Sequence, residues 1–345
     1  MRRLIDGVWA IALIIPLVLC VVCCACSIAR SEGGDSPPDV SLDRTPLAPE
    51  AGALAKPIVP ESSSTLTPTP PSPATSTIRS TPTASPSPTP LSPTPTSTPI
   101  PFLVAIDAGH GGRDLGACRL DDEGRLDFTE SEVNLDIALR IGEVLRGRGY
   151  QVLLIRDGDY LLNAEEQDVN GDGKVSPLDE SQARVDLINA AGADLLLAIH
   201  QNAFALANGQ PVQDVGGAVT FYCADRSFSD ENLRFAELVQ EAVVQAFHDV
   251  GYEIRDRGVM EDLVLEELGK PGSYLVLLGP ETERIVRPCQ VPGALSEPLF
   301  ITHRREAELA RDEAFLDHLA TAYADAVCRY FAGDKARPTA TVDPL

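Results

Sequence analysis

The chain has 345 residues, of which 28 are basic and 51 acidic, for a formal net charge of −23. Nearly all of that charge falls after Pro101, so the folded part presents no basic surface to draw nucleic acid or anionic lipid. Pro, Ser and Thr crowd the first third, which leaves room for one domain of ordinary size.

Arg2 and Arg3 open the chain on positive charge, and Val8 to Ala29 follows with no charged residue. The pattern predicts an export signal or a membrane anchor over 1–30, with everything after it outside the cytoplasm. Its length suits a spanning helix better than a cleaved signal core. Cys26 is the residue of this head nearest to a lipoprotein pattern, although Cys23-Cys24-Ala25 lacks the leucine usual before such a site. A plain anchor and a lipidated one both remain open. Residues 31–101 read as a disordered Pro/Ser/Thr-rich spacer.

From Phe102 the pattern alternates strand and helix. Phe102 to Ile106 is a short apolar run that ends in Asp107 and a glycine-rich turn, as a buried strand does. Thr129 with Glu132 makes a capping box, and Leu135, Ala138, Ile141 and Leu145 follow at helical spacing until Gly147 and Gly149. Further strands are predicted over Gln151–Ile155, Asp194–Ile199, Gly217–Tyr222, Tyr274–Leu278 and Ala294–Ile301. Helices are predicted over Ser181–Ala191, through Phe235, Val239, Val243 and Phe247, and over Ala307–Phe331. This alternation implies an α/β fold, a mainly parallel twisted sheet with helices on both faces, as a single catalytic domain over 102–333 with a disordered tail over 334–345.

Sites in such folds form beyond the carboxyl ends of the strands. His110 follows the first strand there, in Asp107-Ala-Gly-His-Gly-Gly, and His200 follows the Asp194–Ile199 strand. Glu130 sits in the first turn of the capped helix. Two histidines, one carboxylate and an open fourth position form a donor set that catalytic zinc uses. Glu297, leaving the last strand, is placed to act as a base on water. The glycine-rich loop lacks the spacing of either phosphate-binding pattern. Cys118, Cys223, Cys289 and Cys328 show no CxxC spacing, and their pairing stays open among three connectivities.

At these residues the chain resembles the zinc-dependent N-acetylmuramoyl-L-alanine amidases of bacterial cell-wall remodelling. The likeness runs from Val104 to about Phe331 through four segments in the family's order: Val104 to Ala117, Glu130 to Ala138, Arg184 to Ala203, and Pro292 to Phe300. Arg156-Asp-Gly-Asp159 is similar to the end of the family's second strand. The resemblance implies that His110, Glu130 (and not Glu132) and His200 hold Zn2+, that Glu297 is the catalytic base, and that peptidoglycan is the substrate. It implies hydrolysis of the bond between N-acetylmuramic acid and L-alanine. A peptidase acting within the stem peptide and a non-catalytic wall-binding module are the alternatives; a binder needs no base at Glu297. Leu299 and His303 depart from the glycine and asparagine usual in the family near that glutamate. Extra residues including Arg284 to Cys289 precede it, and a protein activator is neither implied nor excluded.

One more motif stands apart. Asp168, Asn170, Asp172, Lys174 and Asp179 supply side-chain or carbonyl oxygens at calcium-loop spacing, with Gly173 at the sharp turn. The stretch 168–179 resembles a single EF-hand or dockerin loop, so Ca2+ is expected there. A second such loop, which a cohesin-binding dockerin needs, is missing from the sequence.

Overall fold

The computed structural model describes residues 101–206, 209–263 and 274–333. The head, spacer and tail read above lie outside the described residues, and among those described no helix is long and apolar enough to cross a membrane.

Eight strands and five helices follow in order: β1 (Leu103–Ala108), β2 (Cys118–Leu120), β3 (Leu126–Thr129), α1 (Glu130–Gly147), β4 (Gln151–Leu154), α2 (Pro177–Ala191), β5 (Leu195–Ile199), β6 (Ala218–Tyr222), α3 (Ser229–Asp249), β7 (Asp256–Glu261), β8 (Gly293–Glu297), α4 (Arg304–Leu309) and α5 (Glu313–Ala332). The main sheet runs β4-β1-β5-β8-β6-β7. β4, β1, β5 and β8 are parallel, whereas β6 runs against β8 and carries β7 parallel to itself. The expected mainly parallel sheet is present, with one reversal of direction at the β8/β6 seam.

Side chains alternate across each strand. Val104, Ile106, Leu195, Leu197 and Ile199 bury against α1, α3 and α5 through Ile137, Ile141, Phe235, Val239 and Tyr323. Ala105, Leu196, Ala198, Val219, Phe221 and Leu295 face the other way, onto Val185 and Ile188 of α2. Among the described residues that second face holds one helix, and the 274–291 segment adds to its cover with Val276, Leu277, Ile285 and Cys289.

Four predicted elements need correction. Tyr274–Leu278 is no strand: Leu278 and Gly279 both donate their backbone N–H to the Leu275 carbonyl, and the apolar run packs as a turn. A short apolar run is buried equally well in either form, so its composition does not discriminate. β8 stops at Glu297 because Pro298 has no N–H for the ladder. The closing helix is two helices, since Asp312 caps a fresh start by accepting from Phe315 N. α2 begins at Pro177, earlier than its apolar spacing indicated, because Ser176 and Asp179 form a capping box.

Two elements went unpredicted, the β2–β3 hairpin and β7, both too polar to show alternation. No disulfide joins Cys118, Cys223, Cys289 and Cys328 to one another in this structure.

Candidate active site

β1, β5 and β8 deliver His110, His200 and Glu297 to one edge of the sheet, and the N-terminus of α1 brings Glu130 there. The capping box explains which glutamate arrives. Glu132 turns its carboxylate back onto Thr129 N at 2.9 Å, while Glu130, at the first helical position, is left free to face the histidines.

The three predicted ligands converge. His110 Nε2 lies 3.2 Å and His200 Nδ1 3.1 Å from the same Glu130 oxygen, and one ligand atom from each residue falls within 4.8 Å of the others. Among the described residues this is the one group of three or more His, Cys, Asp or Glu side chains so arranged. The donor chemistry fits a zinc ion. His110 and Glu130 are also held from behind, as metal ligands characteristically are. Asp114 bonds the other His110 nitrogen at 2.9 Å, Ala117 N and Gln201 N donate to Glu130 at 2.9 and 3.0 Å, and Asn134 links Gln201 to the Gly109 carbonyl.

The His110 loop is under local strain. His110 has φ +63, a left-handed conformation that costs a non-glycine residue about 1–3 kcal/mol and persists only where its surroundings enforce it. Two buried arginines do so. Arg156 donates to the carbonyls of Ala108 and Gly109 at 2.7 and 3.0 Å, and Arg184 to those of Ala108 and His110 at 2.8 and 2.6 Å. Arg184 is neutralised by Asp107 and Glu180, whereas Arg156 has carbonyls alone. Gly109 is needed for space: a Cβ there would stand 2.2 Å from the His200 ring.

Electrostatics follow from this crowding. Burial opposes the charge on Glu130, yet the adjoining histidines hold its carboxyl well below the usual carboxylate range. Burial likewise opposes a proton on His110, but the Glu130 charge and the bonds to Asp114 and Glu130 push its pKa up to about 10. Glu297 is buried, and that burial, helped by the Glu130 charge, pushes its pKa up to about 8 against the pull of Asn202. Asn202 is the side chain that positions it. The amide oxygen of Asn202 accepts from Ala203 N at 2.8 Å, which turns the amide nitrogen onto Glu297 at 2.5 Å.

Sequence reading placed Asp114, Asn134, Arg156, Arg184 and Asn202 inside motifs without giving them work. Their partners lie as far as 95 residues away in the chain, as for Asn202 and Glu297, so spacing carries no sign of them. The departures noted near Glu297 are accommodated. Leu299 is core, and His303 caps α4 by accepting from Glu306 N. The 284–289 segment docks on α2, where Arg287 pairs with Asp186 at 2.7 Å, on the sheet face away from α1, α3 and α5.

The predicted calcium residues form a compact loop elsewhere. Asp168 accepts from Gly171, Asp172 and Gly173 N, Asn170 accepts from Asp172 N, and Asp172 accepts from Lys174 N. Asp179, fully buried, accepts from Val169, Asn170 and Ser176 N.

Comparison with known proteins gives a consistent result. The N-acetylmuramoyl-L-alanine amidase family model (Amidase_3) matches residues 104–329. A germination-specific N-acetylmuramoyl-L-alanine amidase of Bacillus subtilis is 28% identical over 229 residues, 66% of this chain and 79% of the relative. The amidase AmiA of Escherichia coli is 29% identical over 250 residues, 66% of this chain and 76% of the relative. The solved structure of the CwlD amidase from Clostridioides difficile, in complex with the GerS lipoprotein, is similar in fold, with a TM-score of 0.50 and 23% identity over 68% of this chain and all of that one.

Proposed function

Since the chain belongs to the Amidase_3 family of N-acetylmuramoyl-L-alanine amidases, enzymes that hydrolyse peptidoglycan, we propose that it does so with one zinc ion held by His110, Glu130 and His200 and with Glu297 as general base. The observation that carries this reading is the convergence of those three ligand atoms within 4.8 Å at the strand edge where Glu297 emerges. When bound, zinc acts as a Lewis acid on the amide carbonyl and activates water for attack.

The chain's own residues do the rest. Glu297 accepts the proton of the attacking water and returns a proton to the departing L-alanine nitrogen. Burial lifts its pKa toward neutrality, which suits a group that must both take and give a proton. Asn202 fixes which carboxylate oxygen faces the reaction by binding the other. Asp114 sets the His110 tautomer that leaves Nε2 free as a ligand.

The test combines metal content with products. The zinc-loaded protein is expected to carry one equivalent of zinc and to release peptides with free L-alanine amino termini, leaving peptide-free glycan. His200→Ala is expected to lose the metal. Full zinc retention in that variant would overturn the ligand assignment, and new ends inside the stem peptide would overturn the bond assignment.

The sequence supports three additions to this reading. Residues 1–30 export or anchor the enzyme, and 31–101 space the catalytic domain (102–333) from the membrane among wall polymers. The 168–179 loop takes one Ca2+, because a carboxylate has lone pairs to spare beyond the loop N–H groups it accepts from, and Gly173 turns there at φ +83. Membrane fractionation of the full chain checks the anchor; calcium titration followed by melting checks the loop.

A further inference from the structure

Arg257 has no part in the zinc chemistry above, yet it stands in line with Glu297. In the β8/β6 ladder Glu297 faces Val219. The β6/β7 register slips between Ala218↔Asp256 and Thr220↔Val259, which leaves Arg257 and Gly258 opposite Val219. Asp256 reaches Gln240 of α3 at 2.7 Å on one face, so Arg257 projects to the other, where Val219 packs with Leu295 and α2. Two strand spacings, about 10 Å, therefore separate Arg257 from Glu297 along one row of the sheet.

The guanidinium is fixed but has no carboxylate within ion-pair distance among the described residues. Its Nε and Nη2 both donate to the Gly216 carbonyl, at 3.0 and 2.5 Å, and its plane lies over the Phe300 ring with 4.8 Å from Cζ to the centroid. It makes no ion pair among the described residues. The acids that face it, Glu306 and Glu297, are engaged elsewhere: Glu306 accepts from Gly217 N, Phe300 N and Tyr252 OH, and Glu297 accepts from Asn202. Burial first, and the neighbouring Arg255 second, push the Arg257 pKa down to about 10, a sign that its charge is poorly compensated in the free enzyme.

Half-buried and held through Nε and Nη2 by a carbonyl and by a ring, the guanidinium keeps N–H donors on its Nη1/Nη2 edge, preorganised for a carboxylate. Of the two halves of the substrate, the lactyl-glycan side of the scissile amide carries no charge, whereas the stem peptide bears carboxylates. In a chain of net charge −23, an anionic peptide needs a local cation to be held near the cleft. Resting on the amidase reading of this site, we propose that Arg257 forms a subsite for a carboxylate of the departing stem peptide.

The experiment uses the full zinc-loaded chain and two soluble muramoyl-L-alanyl peptides that differ in one group: the residue after L-alanine carries a free carboxylate in one and the corresponding carboxamide in the other. Wild type is expected to favour the carboxylate substrate by about 10- to 100-fold in kcat/KM, chiefly through KM, the worth of a charge-assisted hydrogen-bonded pair. Arg257→Gln is expected to erase that preference and Arg257→Lys to retain part of it, with zinc content and melting recorded for each. A ratio unchanged in Arg257→Gln, or a wild-type ratio near one, overturns the subsite while leaving the zinc assignment standing. Failure of zinc-replete wild type on both substrates overturns the zinc reading and the subsite together. Because the readout is a ratio within one protein, partial misfolding cancels; should the Gln variant not fold, the ratio measured for Arg257→Lys decides.

Discussion

Two stretches of this molecule collect side chains of the types that can hold metal ions, and they do so in opposite ways. At the strand edge, His110, Glu130 and His200 come from three distant segments, and their ligand atoms are held toward one another by groups that are not ligands. In the 168–179 loop the oxygen donors come from neighbouring residues, and their carboxylates turn onto the loop's own backbone. The first arrangement leaves donors facing one point and depends on remote partners for its shape. The second is shaped locally and spends much of its acceptor capacity on itself. A metal at the first is therefore bound up with catalysis, and a metal at the second with local order.

Four substitutions break or sharpen this contrast. The largest effect belongs to Glu297→Gln, which should lower turnover by about 10²–10⁴-fold while zinc content stays at one equivalent; metal analysis alongside product release reads both. Next is Arg156→Met. It removes one donor each from the carbonyls of Ala108, Gly109 and Ser131, leaving Arg184 on the first and Asn134 on the second, and loosens the strained His110, so zinc affinity should fall by about 10–100-fold, measured by competition with a chromogenic chelator. The 168–179 loop leans less on remote support, Arg287 on the Val169 carbonyl being its one distant donor among the described residues.

Third comes a pH dependence that neither metal site causes. Asp262 is fully buried, its carboxylate oxygens have no well-formed hydrogen bond among the described residues, and burial pushes its pKa up to about 7 from an ordinary 3.8 against the pull of nearby Cys223 and Leu275. The folded state thus keeps this proton longer than the unfolded one, so the contribution of Asp262 to stability is full below about pH 4 and is lost as pH rises through about 7. Asp262→Asn should flatten that slope and raise the melting temperature at pH 8 by about 4 °C, as thermal melts across pH 4–8 would show. The smallest effect is expected for Asp172→Ala. It should remove a calcium-dependent rise in melting temperature of about 2–4 °C and leave turnover with saturating zinc within about twofold, on the side chain's distance from the chemistry.

How much of this was legible in the sequence depended on the range of the interactions involved. β1, β5 and α1 announced themselves because buried runs and a capping box are local signals, and the same box accounts for Glu130 rather than Glu132 at the site. The convergence of His110, Glu130 and His200 beside Glu297 was legible through their positions at strand ends and a helix start and through family likeness. β7 was not, since an edge strand reading Asp-Arg-Gly-Val-Met-Glu has little apolar alternation to show. Tyr274–Leu278 misled for the converse reason, being apolar enough for a strand and used as a buried turn. The work of Arg156, Arg184 and Asn202 was invisible, because each acts on backbone or side chains that only the folded sheet brings within reach.

The reversal at the β8/β6 seam has a consequence for how such an enzyme diversifies. The parallel strands β1, β5 and β8 end at the cleft, so one wall is made of segments leaving the sheet, and these carry the reactive groups. β6 and β7 begin there, so the opposing wall is made of segments arriving, and Arg257 is the second residue of β7 on that side. Variation in the arriving segments can retune which peptides are accepted while the departing ones conserve the reaction, giving selectivity and chemistry separate evolutionary histories within a single groove.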